Sequence, residues 1–92
     1  MQDLQDAIKH TQAAVNKTPS GHPNLPATLS NLGSFLNERY NRMGDTQDLE
    51  DAIKHTQAAV NKTPSDHPNL FQSERTLSRS LRLLYSELSY LS

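Results

Sequence analysis

Residues 2–25 read QDLQDAIKHTQAAVNKTPSGHPNL, and residues 47–70 read QDLEDAIKHTQAAVNKTPSDHPNL. The offset is 45 residues, and 22 of the 24 aligned positions are identical; only Gln5/Glu50 and Gly21/Asp66 differ. A fixed period of about 20–50 residues is the mark of a repeat architecture, so the unit to be explained is the repeat. Within each copy the apolar and small residues fall at helical spacing. Leu4, Ala7, Ile8, Thr11, Ala14 and Val15 share one stripe, as do Leu49, Ala52, Ile53, Thr56, Ala59 and Val60. Asp3 and Asp6 stand early and Lys9 and Lys17 later, an order that suits the helix dipole.

Outward from the repeated stretch, the punctuation is clear. Pro19 and Pro64 stop the two helices, and the TPSGHPNLP run at 18–26 is a loop. A second helix is expected over 26–43. Pro26 lies in its first turn, and Leu25, Leu29, Leu32, Leu36, Tyr40 and Met43 recur at steps of three and four. Gly33 sits in its middle, where it costs about 1 kcal/mol against Ala; close approach of a neighbouring helix is the usual reason. Gly44 is placed to end the helix, and Asp45 or Thr46 to cap the next, over 47–62.

The repeat breaks at Phe71, but its register survives. At the 45-residue offset Leu32 meets Leu77, Gly33 meets Ser78, Leu36 meets Leu81, Tyr40 meets Tyr85 and Met43 meets Leu88. A fourth helix is expected over 73–90, with Ser73 as its N-cap. Its leucines at 77, 81, 84, 88 and 91 follow a 4-3-4-3 spacing. The expected use of that stripe is docking onto the helix at 47–62; a coiled-coil seam for self-association is the alternative.

The whole is an all-α chain of helical hairpins. Its 92 residues suffice for one small domain, and the apolar content of 34% suits stacked helices that each bury a single stripe. Net charge is −1, which gives no general pull toward nucleic acid or acidic membranes. There is no cysteine, so disulfides, thiolate zinc sites and cysteine nucleophiles are excluded. No apolar run nears the roughly 18 residues of a membrane span, and the polar start shows no leader; a soluble, cytoplasmic protein is the expectation.

Leu32-Gly33 and Tyr40, followed by Ala52, Ala59 and Pro64, resemble the tetratricopeptide repeat; Ala7, Ala14 and Pro19 match the same spacing in the first copy. Two positions depart from that family. Leu29 stands where a large aromatic precedes the Leu-Gly pair, and Thr56 (Thr11 in the first copy) stands where an aromatic lies between the alanines. The period also exceeds the family's usual 34 residues. Phrases such as DLEDAIKHTQAAV, HPNLPATLSNLG and ERYNRMGD look like the long-period arrays of large fungal proteins, which often sit beside CHAT, NACHT or NB-ARC domains. No motif of those domains is present, so their activities do not carry over.

What the resemblance implies is a non-catalytic scaffold for protein–protein interaction, binding an extended peptide along a concave face. On the second helix that face should carry Ser30, Ser34, Asn37 and Glu38. On the fourth, Arg75, Arg79 and Arg82 replace Ser30, Ser34 and Asn37 at the 45-residue offset, a row that would suit an acidic or phosphorylated peptide. Ser30 and Ser34 are not the basic clamp of the family's chaperone-tail binders. The alternative is a truncated or self-associating fragment of a larger fungal repeat protein, without independent activity.

No catalytic constellation is visible, and no cofactor or metal is expected. The histidines form two repeat-related pairs, His10/His55 and His22/His67, which duplication alone explains; none lies at i, i+4 to another. His10 and His55 are expected on polar helix faces, and His22 and His67 in a Ser-x-His-Pro motif that fixes the turn. The glycines at 21, 33 and 44 are too isolated for a phosphate loop, and no serine has a Gly-x-Ser-x-Gly setting.

Overall fold

The computed structural model describes residues 2–91, and the side chains of residues 3–89. It is all-α: α1 (Gln2–Lys17), α2 (Leu25–Met43), α3 (Thr46–Lys62) and α4 (Asn69–Leu91), with no strand among the described residues. The helices pack in order, α1 on α2, α2 on α3 and α3 on α4, and α4 also reaches back to α2.

Helix ends follow the local chemistry. Pro19 and Pro64 cannot continue a helix, and the Thr18 and Thr63 hydroxyls donate to the Ala14 and Ala59 carbonyls at 2.6 Å. The joint between α2 and α3 is two residues long. Gly44 adopts a left-handed φ of 75° and donates its N–H to the Tyr40 carbonyl at 2.7 Å. Asp45, not Thr46, caps α3, its carboxylate accepting from the Gln47 N–H at 3.0 Å. In the two longer loops the turn is closed by histidine: Nδ1 of His22 accepts from the Asn24 N–H and Nδ1 of His67 from the Asn69 N–H, both at 3.0 Å.

The core lies around α2. Leu32 and Leu36 join Ile8 and Ala52 in one cluster, with Leu4, Val15 and Phe35 against it; Leu25 and Leu29 join Ala59 in a second. At Gly33 the approach is so close that an added Cβ would overlap the Thr56 methyl group. Thr56 is fully buried, and its hydroxyl donates to the Ala52 carbonyl at 2.7 Å. The missing Cβ on α2 and the methyl on α3 thus fill one space. This also accounts for a threonine where the resemblance anticipates an aromatic ring.

The same face carries an ion pair. Arg39 donates from Nε and Nη2 to the two carboxylate oxygens of Asp48, at 2.9 and 2.7 Å, and from Nη1 to Oε1 of Gln5 at 3.2 Å. One guanidinium on α2 therefore ties α1 and α3 together. Its hydrogen bond to Asp48 raises its pKa, against a smaller opposing effect of burial.

Two expectations about the tail are corrected. First, α4 begins at Asn69, four residues earlier than expected, and Ser73 is a buried residue inside it rather than its cap. The His67 bond to the Asn69 N–H sets the backbone for a helix at once, so Phe71 is already helical. Second, the leucine stripe does not supply the docked face. Ser73, Thr76 and Ser80 are buried, whereas Leu81 and Leu88 are exposed and Leu77 and Leu84 half-buried. Leu91's side chain lies outside the described residues. The reason is size: three small side chains let α4 approach closely. Thr76 donates to the Gln72 carbonyl at 3.1 Å, and the one hydroxyl hydrogen of Ser80 is shared between the Thr76 carbonyl at 3.1 Å and Oδ1 of Asn37 at 2.8 Å, so neither hydroxyl is buried without a partner.

Candidate functional site

The cleft between α2 and α4 gathers four of the seven residues expected of a peptide groove. Ser34 and Asn37 from α2 and Arg75 and Arg79 from α4 line it with Gln72 and Thr76, around a volume of about 260 Å³. They meet because α2 and α4 lie side by side across α3 and because 75 and 79 are one helical turn apart, as are 34 and 37 within a residue.

The floor of the cleft is polar and tightly held. Ser34 Oγ and Thr76 Oγ1 lie 3.4 Å apart. Asn37 is 2% exposed, and its Oδ1 accepts from the Ser80 hydroxyl at 2.8 Å. Its Nδ2 is buried with no hydrogen-bond partner. A buried donor left unmade costs about 1–3 kcal/mol, which makes this atom the anomaly of the site. Arg75 and Arg79 are exposed at the rim, and neither forms an ion pair among the described residues.

The other three expected residues lie elsewhere. Ser30 is buried beside Ser73 and borders a smaller neighbouring cleft of about 110 Å³. Glu38 accepts from Arg42 Nε at 3.2 Å within α2. Arg82 is exposed and lines none of these clefts. The row of three arginines is therefore a pair over the cleft and one outlier, because Arg82, on nearly the same face as Arg75, stands two turns or about 10 Å farther along the helix.

Tyr40 closes the far end, its hydroxyl donating to Oε2 of Glu87 at 2.7 Å. That hydrogen bond raises the tyrosine's pKa. Neither the Tyr40–Glu87 bond nor the Asn37–Ser80 bond was anticipated from the sequence. Each spans more than 40 residues and joins helices whose relative rotation periodicity leaves open.

A second cleft, of about 400 Å³, lies between the two loops. It is lined by His22, His67, Lys62 and three prolines, among others. Both imidazoles already use Nδ1 to hold their own turns. Of the remaining histidines, His10 is exposed and His55 half-buried, and burial lowers the His55 pKa, with Lys54 acting the same way and Asp51 opposing. Among the described residues no three His, Cys, Asp or Glu side chains gather as a metal site requires, and no helix is long and apolar enough to cross a membrane.

No family model, no curated protein and no solved structure matches the chain.

Proposed function

We propose that the chain is a non-catalytic protein-interaction module of the tetratricopeptide type, and that the α2–α4 cleft takes an acidic extended peptide. The observation that carries this reading is the pair of exposed arginines, Arg75 and Arg79, which form no ion pair among the described residues and stand over a cleft lined by the polar side chains of Ser34, Asn37 and Thr76. A bound peptide would run along the accessible rim of the cleft, above the buried Asn37 amide. Carboxylates on either side would meet Arg75 and Arg79, whose planar guanidinium groups bind such oxygens in pairs. Ser34 and Thr76 offer hydroxyls that turn to suit either a donor or an acceptor. Nothing in the cleft resembles a nucleophile paired with a base, so binding is the whole of the proposed activity.

The test is fluorescence polarisation with a labelled oligoglutamate peptide and an oligolysine control. The glutamate peptide should bind, more weakly as salt rises, and Arg79→Glu should weaken it several-fold, since an exposed charge pair is worth roughly 0.2–1 kcal/mol and the reversed charge adds repulsion. Equal binding by wild type and Arg79→Glu, or equal binding of the two peptides, would overturn the proposal.

A further inference from the structure

Along α4 runs an apolar strip that no other helix covers. Leu81 is 47% exposed, Tyr85 75% and Leu88 58%, with Leu77 and Leu84 half-buried at its edge and Phe71, 72% exposed, beside its start. The internal repeat says what kind of face this is. At the 45-residue offset Leu77 and Leu81 correspond to Leu32 and Leu36, which are 0% and 3% exposed because Ile8 of α1 and Ala52 of α3 pack with them. The strip is thus the counterpart of a covered surface.

The first candidate to cover it is a helix of the α3 type, which α1 of another copy would supply. Two substitutions in α4 exclude that seating. Gly33, whose missing Cβ admits the Thr56 methyl, is replaced by Ser78, so the methyl of Thr11 would collide with the Ser78 Cβ. Arg39, which holds the buried Asp48, is replaced by Leu84, so Asp3 would be buried against a leucine. The same two changes suit a different partner. Leu84 completes an uninterrupted 77-81-84-88 run at the 4-3-4 spacing with which two helices interlock.

We propose that this strip is a two-fold interface, in which α4 packs antiparallel on α4 of a second copy. A two-fold contact needs a self-complementary patch, and an apolar strip of leucines with one aromatic ring is one. Antiparallel packing follows from charge. Glu74 lies on the same side of the helix as Leu81, and in a parallel pair it would meet its own copy, whereas the antiparallel arrangement parts them. The strip offers only Leu77, Leu81, Leu84, Tyr85 and Leu88, far fewer than the roughly 20–30 residues a side of a standard stable interface. The dimer is therefore reversible and forms as concentration rises. Arg75 and Arg79 lie on another side of α4, over the cleft, so dimerisation leaves the proposed peptide site open.

Sedimentation equilibrium over about a hundredfold range of concentration tests this. The apparent mass should climb from one chain toward two and stop there. Leu81→Glu combined with Leu88→Glu should stay monomeric at every concentration, with helical circular dichroism unchanged because both residues are exposed. A control on α1, Ala14→Glu, should dimerise like the wild type. A monomer throughout would overturn the proposal. So would a mass that passes two chains, or loss of association in Ala14→Glu, since both mean head-to-tail contact through α1. Association that survives the double α4 substitution would place the interface elsewhere and equally overturn it.

Discussion

At the scale of the residue, Gly33 shows two opposed effects that magnitude decides. In an isolated helix Gly33→Ala gains about 1 kcal/mol of propensity. Here the new Cβ meets the Thr56 methyl, on a β-branched side chain whose hydroxyl is tied to the Ala52 carbonyl and which cannot rotate away freely. Overpacking costs about 1–3 kcal/mol, so the overlap outweighs the propensity. Gly33→Ala should lower stability in urea melts, and adding Thr56→Ser, which removes the methyl and keeps the hydroxyl, should restore it beyond the starting value. His55 makes a separate claim. Its pKa in the fold is lowered by burial, so below about pH 6.5 the unfolded chain binds more protons than the folded one, and stability must rise with pH through that window. The melting temperature should fall between about pH 7.5 and 5.5, and His55→Gln should reduce that fall; an identical pH dependence in the two proteins would contradict the assignment.

At the scale of the element, α1 and α3 spell nearly the same helix and live in different surroundings. Leu49, Ala52, Thr56 and Ala59 are 0% exposed, while Leu4, Ala7 and Thr11 are half-buried and Ala14 is exposed. α3 lies between two neighbours and α1 against one. Ala59→Glu should therefore cost more than about 3 kcal/mol, as an unpaired charge buried at a helix crossing does, whereas Ala14→Glu should stay within about 0.5 kcal/mol. Chemical denaturation of the pair measures the difference that identical sequence conceals. Here the sequence was legible up to a point. Helix number and order could be read from Pro19, Pro64 and Gly44, the cap of α3 only as Asp45 or Thr46, and Gly33 announced a close crossing, whereas Ser73, expected as the cap of α4, lies inside it. The covered faces of α2 and α3 could be read from their stripes, but how fully α1 is covered and which face of α4 docks could not, because the same letters serve an edge and a middle. In α4 the periodic leucines drew attention from Ser73, Thr76 and Ser80, whose small size decides the docking.

At the scale of the whole molecule, the proposed peptide cleft and the proposed dimer strip occupy different sides of α4, one polar and one apolar. Arg75 and Arg79 could be picked out from the offset to Ser30 and Ser34, but the orphaned amide of Asn37 could not, since it depends on where Ser80 arrives from 43 residues away. The two-residue joint at Gly44–Asp45 has a further consequence, for the route by which the chain folds. A sequence that writes one helix twice offers α2 two nearly equivalent keys for one lock, and α1 in the seat of α3 would be a plausible trap. Short loops close at less entropic cost than long ones, and the joint to α3 is shorter than the loop from α1. The correct key is the one already tethered beside the lock, and the brevity of that tether, more than any difference in the letters, keeps the duplicate out.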